Sequence, residues 1–296
     1  MADPAHLTCW ILTDGKAGHL NQCLGLAEAL ELQPEVKRLS PRCPWSHLPP
    51  RFWIAPLGAG ATGDAALSPP WPDLLIAAGR QTVAPAAAVR RAAGPSCFAA
   101  MIQDPGAFRS VFDLVIAPAH DELSGANVFE TDGALTRITD AGLREAADRL
   151  SPRLDALPRP LVAVLVGGSS RHFRMTAAAA RSLADGLRRM CEETGAGLAI
   201  TASRRTGTEN TAILRDTLAG APVFFWDGAG DNPYQGMLGL ADAIVVTEDS
   251  VSMISDACTT GKPVYIAPLE GGSAKFSRFH DRLRARGAAD RPRRGS

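Results

Sequence analysis

The sequence predicts an α/β fold of parallel strands joined by crossover helices and divided over two domains. Short apolar runs bounded by Gly, Pro or Asp alternate with longer segments of Ala, Leu and Arg at helical spacing, a pattern typical of such sheets. The chain has 296 residues, about twice the length of a typical domain. Its 46% hydrophobic residues can bury a large aliphatic core, which excludes disorder over most of the chain.

The first half contains four predicted strands and one clear helix. The helix covers about residues 20–32, where leucine and alanine recur along one face. Residues 42–71 are rich in Pro and Gly and contain no predicted element, so we interpret them as an irregular excursion or a surface insertion. The predicted strands span residues 8–13, 73–78, 97–103 and 113–118.

The second half begins after residues 151–160, whose three prolines predict an extended linker. This divides the chain into an N-terminal Rossmann-like domain (1–150), a C-terminal Rossmann-like domain (161–275) and a basic C-terminal helix or tail (276–296). We interpret the tail as a solvated helix and a frayed terminus rather than as a docking surface for an anionic partner. Strands are predicted at 161–166, 197–202, 223–226, 243–247 and 263–267, and helices at 176–190 and 252–260.

Charge, cysteine spacing and hydropathy exclude several classes of protein. The 31 basic and 31 acidic residues cancel, which disfavours binding to nucleic acid. The six cysteines lie far apart, without a CxxC pair or a histidine at metal-ligand spacing, so the pattern excludes a zinc site and a disulfide scaffold and favours the reducing cytoplasm. Residues 1–6 lack the features of a signal peptide, and the longest apolar run, 161–166, is too short to span a bilayer. Peripheral contact with a membrane remains open.

Residues 14–19 form the first motif that could carry chemistry. The sequence Asp-Gly-Lys-Ala-Gly-His follows an apolar strand and opens a helix, which places it at the carboxyl edge of a sheet, where open α/β domains bind ligands. It is neither a Walker loop nor a GxGxxG motif, because the spacing differs and no Ser or Thr follows Lys16. His19 is a candidate general base, since an imidazole titrates near neutral pH, and capping of the helix is the structural alternative.

A second motif follows the strand predicted at 161–166. Its glycine amides, serine hydroxyls and arginines suit a phosphate or diphosphate, although a Gly-Gly turn with solvated arginines has the same pattern. The next strand ends in a further cationic loop at the same predicted edge, and two such loops favour an anion site. The loops contain Gly167, Gly168, Ser169, Ser170, Arg171 and Arg174, and Ser203, Arg204, Arg205 and Thr206.

The pattern of residues 241–264 predicts a strand, a hydroxyl-rich loop, a short helix that ends at a glycine, and a second strand. The helix N-terminus offers backbone amides to an anion, and Asp256 could accept two hydrogen bonds from a ribose diol. N-capping by Ser250 or Ser252 and a favourable position of Asp256 in the helix dipole are the structural alternatives. Residues 232–234, Asn-Pro-Tyr, could touch a ligand but fit a tight turn better.

These motifs resemble those of the GT-B glycosyltransferases. Residues 250–257 and the Gly-Lys-Pro turn at 261–263 are similar to the small-residue loop, acidic helix residue and Gly-x-Pro turn in the nucleotide-binding half of that family, with Asp in place of the usual Glu. The resemblance implies that Asp256 holds the ribose. The residues that it assigns to the base and phosphate pocket are Ser252, Met253 and Ile254.

Residues 14–19 in turn resemble the N-terminal Gly-rich loop of those transferases, where a histidine is a candidate base for the acceptor hydroxyl. Since the two matches fall in the two predicted domains, the resemblance implies a GT-B-like fold in which two Rossmann-like domains face each other across a cleft. No residues resemble a DxD pair for a divalent ion. Residues 171–175 separate the glycines from the predicted helix. Because the N-terminus of that helix is then farther from the phosphate, more of the neutralisation of the diphosphate falls to Arg171 and Arg174.

Over most of its length, the chain resembles the mitochondrial fission protein family named for elongated mitochondria, which has many bacterial members of unassigned activity. This resemblance implies a fold more firmly than a reaction. The residues that carry it are 13–19, 21–22, 102–105, 118–121, 167–169, 203–206, 232–234 and 247–253.

The leading hypothesis is a metal-independent, GT-B-like glycosyltransferase that needs no cofactor and passes a sugar from a nucleotide-sugar to an unknown acceptor. The alternatives are a noncatalytic adaptor that retains the GT-B shell to recruit a protein, and a nucleotide-sugar 2-epimerase. Arginines that point outward into bulk water would contradict the transferase. Its catalytic residues would be His19, Asp14 and Lys16, and its substrate-binding residues Gly15, Gly18, Gln22, Gly167, Gly168, Ser169, Arg171, Arg174, Ser203, Arg204, Arg205, Thr206, Asp249, Ser250, Ser252, Met253 and Asp256.

Overall fold

The computed structural model describes residues 7–59 and 66–290. The chain forms two compact units, Met1–Arg137 and Ile138–Ser296. Within the described ranges, no helix has both the length and the apolar composition that a bilayer crossing requires. The predictions that lie outside the described residues concern residues 1–6, residues 60–65 of the segment 42–71 and, in the basic tail, Arg291, Arg293 and Arg294.

The described part of the N-terminal unit contains six strands and three α-helices. These are β1 (Cys9–Thr13), α1 (Ala17–Ala29), β2 (Glu35–Arg38), α2 (Pro56–Ala59), β3 (Leu74–Ala78), α3 (Val83–Ala93), β4 (Phe98–Ile102), β5 (Leu114–Pro118) and β6 (Val128–Thr131). The strands form one parallel sheet in the order β2-β1-β3-β4-β5-β6. The four strands predicted from apolar runs are confirmed as β1, β3, β4 and β5.

Successive residues of these strands are buried on opposite faces of the sheet, because side-chain direction alternates along a strand. Leu12 and Leu75 pack in the same cluster as residues of α3. Ile11 and Ile76 pack in the same cluster as residues of α1. Burial on both faces explains why these strands appear in the sequence as continuous apolar runs.

Four of these elements are absent from the sequence-based prediction. One of them is the short helix α2 (Pro56–Ala59), which lies within the segment 42–71 interpreted as irregular. The strands β2 and β6 lie at the two edges of the sheet and expose three and two of their four residues, respectively, so they lack an apolar run. The helix α3 consists mostly of alanine and has no leucine repeat. The helix predicted for residues 20–32 begins and ends earlier, at Ala17–Ala29, and Glu31 directly beyond its C-cap has a φ of 57°.

The C-terminal unit contains a second parallel sheet. Its elements are α4 (Asp140–Leu154), β7 (Leu161–Val166), β8 (Phe173–Arg174), α5 (Ala177–Thr194), β9 (Gly197–Ala202), α6 (Thr208–Thr217), β10 (Val223–Phe225), α7 (Tyr234–Leu240), β11 (Ala243–Thr247), α8 (Val251–Thr259), β12 (Val264–Ala267), β13 (Glu270–Gly271) and α9 (Ala274–Ala285). The sheet order is β10-β9-β7-β11-β12, and β8 pairs antiparallel with β13. All five strands predicted in this half are confirmed.

The units divide before the predicted linker, between Arg137 and Ile138. The helix α4 extends into the first residues of that linker and belongs to the C-terminal unit. Its buried leucines Leu143, Leu150 and Leu154 pack in the same core cluster as residues of α7. Their spacing along one helix face is a signal that the proline content of the segment obscured.

The basic tail differs from its interpretation as a solvated helix. The helix α9 begins at Ala274, and its residues Phe279 and Leu283 are buried in the core of the C-terminal unit. Asp290 then forms a parallel bridge with Tyr265 of β12. The apolar face of α9 therefore makes it part of the unit, while its arginines lie on the other faces.

Candidate functional site

Each parallel sheet has one place where the strand order reverses. Ligands of open α/β sheets bind outside the carboxyl ends of the strands at such a switch point. The reversal lies between β1 and β3 in the N-terminal unit, and between β7 and β11 in the C-terminal unit. The loops that follow these strands are therefore the candidate sites, and they include the three motifs that the sequence singles out.

The loop after β1 brings together the three residues assigned to catalysis. His19 Nδ1 lies 2.8 Å from Asp14 Oδ1, and Lys16 Nζ lies 3.0 Å from Asp14 Oδ2. The side chain of Asp14 is 2% exposed, that of His19 is 18% exposed and that of Lys16 is 72% exposed. A buried carboxylate thus holds an imidazole and an ammonium group that are nearer to solvent.

Gly79, the first residue after β3, makes room for this pair. Its φ is +98°, which favours glycine, and a Cβ atom there would lie 2.6 Å from His19 Nδ1 and 3.1 Å from Asp14 Oδ2. Sequence reasoning missed Gly79. Its position directly after an apolar strand, at the same sheet edge as residues 14–19, was the available signal.

The ionisation state of Asp14 determines which ring nitrogen of His19 carries the proton. Burial alone would raise the pKa of Asp14, but the hydrogen bonds and positive charges of His19 and Lys16 outweigh this effect and lower the pKa to about 2. An ionised carboxylate only accepts hydrogen bonds, so the proton between the two groups belongs to Nδ1 of His19. In the neutral ring, Nε2 therefore carries the lone pair that can accept a proton.

Three residues assigned to substrate binding shape this loop and the first turn of α1. Gly15 has a φ of +78°, and its N–H donates to Thr13 Oγ1 at 3.2 Å. The carbonyl of Gly18 accepts a hydrogen bond from Gln22 Nε2 at 3.0 Å, and Gln22 is buried. Their assignment to a substrate stays a prediction.

The loop after β7 uses its glycine amides within the protein. Gly167 N–H donates to Thr247 Oγ1 at 2.8 Å, and Gly168 N–H donates to Asp249 Oδ2 at 3.1 Å. The hydroxyl of Thr247 in turn donates to Asp249 Oδ1 at 2.7 Å. The sequence predicts that these amides donate to a phosphate. In the structure they donate instead to Thr247 at the end of β11 and to Asp249 just after it.

The serine amides of the same loop are engaged as well. Ser169 N–H donates to the carbonyl of Arg205 at 3.0 Å, and Ser170 N–H donates to the carbonyl of Phe173 at 2.8 Å. The structure thus differs from the expectation that the loop amides are presented to a diphosphate. The physical reason is that acceptors already lie beside all four donors. The side chains of Thr247 and Asp249 accept from the two glycine amides, and the carbonyls of Arg205 and Phe173 accept from the two serine amides.

The network closes around Asp249, whose side chain is fully buried. Arg205 Nη1 lies 2.7 Å from Asp249 Oδ2. A Cβ atom at Gly167 would lie 2.1 Å from Asp249 Oδ1, and one at Gly168 would lie 2.1 Å from the backbone of Arg205. Only glycine fits at these two positions without a movement of the surroundings.

The cationic loop after β9 adds two hydrogen bonds to this network. The hydroxyls of Ser203 and Thr206 both donate to the carbonyl of Gly167, the former at 2.9 Å. Thr206 is buried. The structure therefore gives these two hydroxyls a structural partner, while their assignment to a substrate stays a prediction.

The arginines assigned to the diphosphate fall into two groups. Arg205 is held by Asp249, as described above. Arg171, Arg174 and Arg204 are exposed, and their guanidinium groups make no hydrogen bond or ion pair with the described residues. Arginines that point into solvent are the result that would contradict a transferase with a preformed diphosphate site. The anion site in this unit therefore stays a hypothesis.

The helix α8 starts with the predicted cap. Ser250 is its N-cap, and its Oγ accepts a hydrogen bond from Met253 N–H at 3.3 Å, which confirms the capping interpretation. Ser252 and Met253 lie in the first turn and are half-buried. The backbone amides of this turn face the same sheet edge as Gly167, because α8 follows β11 directly.

Asp256 has a partner that the sequence did not predict. Tyr234 Oη donates to Asp256 Oδ2 at 3.0 Å. Burial raises the pKa of the Tyr234 phenol well above its ordinary value, and the negative charge of Asp256 adds to the rise. The backbone N–H of Tyr234 donates to Asn232 Oδ1 at 3.0 Å, so residues 232–234 form the turn that opens α7.

No group of three or more His, Cys, Asp or Glu side chains is placed to hold a metal ion within residues 7–59 and 66–290. All six cysteines are free thiols. Burial raises the pKa of Cys23 to about 12 and those of Cys9 and Cys97 to about 11, so these thiols stay protonated at neutral pH. Metal independence itself stays a prediction.

The sequence matches the model of one protein family over residues 17–294, and that family is described as Mitochondrial fission ELM1. A curated relative is the Mitochondrial fission protein ELM1 of Arabidopsis thaliana, which is 36% identical over 240 residues. The match covers 73% of this chain but 56% of the plant protein, so the chain spans little more than half of that relative.

Solved structures with a similar fold share little sequence with this chain. A UDP complex of MnaA from S. aureus has a TM-score of 0.58 at 13% identity and covers 94% of this chain and 88% of its own. The UDP-GlcNAc 2-epimerase of Methanocaldococcus jannaschii, in complex with UDP-GlcNAc and UDP, has a TM-score of 0.55 at 14% identity, with 96% and 88% covered. MurG of Acinetobacter baumannii has a TM-score of 0.54 at 15% identity, with 96% and 84% covered. At these identities the similarity shows the GT-B-like fold alone.

Proposed function

The chain belongs to the Mitochondrial fission ELM1 family, and we propose that it is a GT-B-like glycosyltransferase that uses a nucleotide-diphosphate sugar without a metal ion. The observation that carries the proposal is the hydrogen bond of 2.8 Å between His19 and Asp14 at the N-terminal switch point. It supplies a general base with a fixed tautomer and partial exposure, which an acceptor hydroxyl needs in order to react.

In the proposed reaction, His19 Nε2 takes the proton of the acceptor hydroxyl. The acceptor oxygen then bonds to the anomeric carbon of the sugar, while the bond between that carbon and the diphosphate oxygen breaks. The nucleoside diphosphate leaves with the electron pair of that bond. Asp14 stays ionised throughout and stabilises the imidazolium ring, as the carboxylate of a catalytic triad does.

The C-terminal unit would bind the donor. Arg171, Arg174 and Arg204 are exposed cations without a partner among the described residues, and an anionic diphosphate could engage them. Asp256, supported by Tyr234, would hold the ribose. Two structures of similar fold contain UDP or UDP-GlcNAc, so UDP-GlcNAc is the first donor to test. The acceptor is open.

The test is the release of UDP from UDP-GlcNAc with water as the acceptor. We expect His19→Ala to lower the rate by about 100- to 10,000-fold, the usual contribution of a general base, with an unchanged Kd for UDP. His47→Ala changes an exposed histidine of the same unit and is the matched control. An unchanged rate in His19→Ala would remove the proposed base. Formation of the C2 epimer of UDP-GlcNAc, with the sugar still attached to UDP, would instead identify a 2-epimerase.

A noncatalytic adaptor is the second candidate, and one observation favours it. The N–H groups of Gly167, Gly168 and Ser169 all donate to acceptors within the protein, so these three amides are not available to a diphosphate. Calorimetric titration with UDP, GDP and their sugars separates the two candidates. Saturable binding that weakens in Asp256→Ala supports the transferase, and the absence of binding across the panel supports the adaptor.

A further inference from the structure

A basic apolar segment, residues 42–57, lies between β2 and β3 of the N-terminal unit. It contains a 3₁₀ turn, Pro50–Phe52, and the start of α2. Ile54 is 75% exposed and Phe52 is 53% exposed, and Ile54 has the highest exposure of any large hydrophobic side chain in the described ranges. The proposed transfer reaction uses neither residue.

The exposed tip of this segment is held in place by the residue between its two apolar side chains. Trp53 is buried, its Nε1 donates to the carbonyl of Leu48 at 3.3 Å, and its ring lies 6.4 Å from that of Trp45. Ala55 follows with a φ of 49°, in the left-handed region that residues other than glycine rarely adopt. Because Trp53 is anchored, Phe52 and Ile54 are presented to solvent on either side of it.

The segment itself carries positive charge and no acidic side chain. The guanidinium of Arg51 lies 4.8 Å from the ring centre of Phe52, and Arg42 and His47 are exposed on the same segment. Arg80, from the loop after β3, donates to the carbonyl of Ser46 at 3.4 Å and adds a further cation. Residues 40–59 contain no Asp or Glu, although the whole chain has a net charge of zero.

We propose that this segment docks the protein on an anionic lipid bilayer. Phe52 and Ile54 would insert among the acyl chains, and the arginines would pair with the phosphates of the headgroups. A protein partner of matching shape would need an acidic collar around an apolar pocket, whereas an anionic bilayer supplies both features to any exposed tip. The inference stands independently of the transfer reaction.

The test is co-sedimentation with vesicles of phosphatidylglycerol and phosphatidylcholine, and with vesicles of phosphatidylcholine alone. We expect the full chain to bind the anionic vesicles and to be released by salt. The double variant Phe52→Ser/Ile54→Ser should bind at least about tenfold more weakly. The variant Arg42→Gln/Arg51→Gln should bind more weakly and with a smaller dependence on salt.

The matched control is Phe98→Ser/Phe129→Ser, which removes two apolar side chains of similar exposure, 50% and 60%, from outside the segment. This variant should bind vesicles as the wild type does, and circular dichroism should show that all variants are folded. Absence of binding by the wild type, or equal binding by Phe52→Ser/Ile54→Ser, would overturn the proposal. A wild-type dimer that this variant converts to a monomer, without vesicle binding, would overturn it in favour of a protein contact.

Discussion

The two switch points of this protein use a buried carboxylate in opposite ways. Asp14, after β1, pairs with a histidine whose side chain is 18% exposed. Asp249, after β11, is fully buried and accepts hydrogen bonds from the loop after β7. The sheet topology places both carboxylates at equivalent edges. The comparison teaches that topology selects the position of a site, while the local partners decide whether a carboxylate orients a titratable group or fastens a loop.

The largest expected effect comes from filling the closed C-terminal loop. In Gly168→Ala the new Cβ would lie 2.1 Å from the backbone of Arg205, and a backbone cannot move aside as a flexible side chain can. We expect the free energy of unfolding to fall by about 3 kcal/mol, measured by urea denaturation.

The control for this variant is Gly186→Ala in α5, where the nearest atom lies 4.0 Å from the new Cβ. Because glycine is unfavourable inside a helix, this change should raise the stability by about 0.5–1 kcal/mol. If Gly168→Ala were as stable as the wild type, the closed loop geometry would be refuted.

A smaller loss is expected when the central carboxylate of this loop becomes an amide. In Asp249→Asn, the side-chain NH₂ replaces one of the two carboxylate oxygens. If it replaces Oδ2, the N–H of Gly168 and the guanidinium of Arg205 lose their acceptor, and if it replaces Oδ1, the hydroxyl of Thr247 loses its acceptor. We expect a loss of about 2–3 kcal/mol in the free energy of unfolding. Asp185→Asn, on the exposed side of α5, should change it by less than about 0.5 kcal/mol. Equal effects of the two variants would argue against the network.

The smallest effect concerns Asp14 and depends on pH. Its pKa is about 2 in the folded protein against an ordinary 3.8, which corresponds to about 2 kcal/mol of stability. Because the folded pKa is depressed, this contribution is complete above about pH 5 and is lost as the pH falls toward about 2. The stability difference between wild type and Asp14→Asn should therefore shrink between about pH 6 and pH 2.5. A difference that stays constant over this range would contradict the lowered pKa, and Asp185→Asn provides the baseline.

Much of the fold could be predicted from local patterns. The central strands carry continuous apolar runs because both of their faces are buried, and all nine predicted strands are present. The edge strand β2 has one buried residue in four and gives no such signal. The helix α4 was hidden because its last turn contains Pro152 and runs into the proline-rich segment 151–160, although Leu143, Leu150 and Leu154 mark a helix face.

The candidate site was predictable in the N-terminal unit and less so in the C-terminal one. Asp14, Lys16 and His19 are close in sequence, so the loop that holds them brings them together wherever it lies. The partners of the C-terminal loop are distant in sequence, as with Gly168 and Asp249, which are separated by 81 positions. No local pattern in the sequence indicates that Asp249 accepts a hydrogen bond from the N–H of Gly168, or that the hydroxyl of Tyr234 donates to Asp256.

The sequence by itself determined the α/β class, the central strands, the family and the positions of the loops at the carboxyl edges, because these follow from hydrophobic periodicity and short motifs. Only the tertiary structure decided which polar groups are occupied. Strand order brings distant residues into hydrogen-bond range, and a buried donor or acceptor must find a partner there because an unpaired one is costly. That requirement closed the loop at Gly168, whereas His19 pairs with the buried Asp14 and stays partly open to solvent.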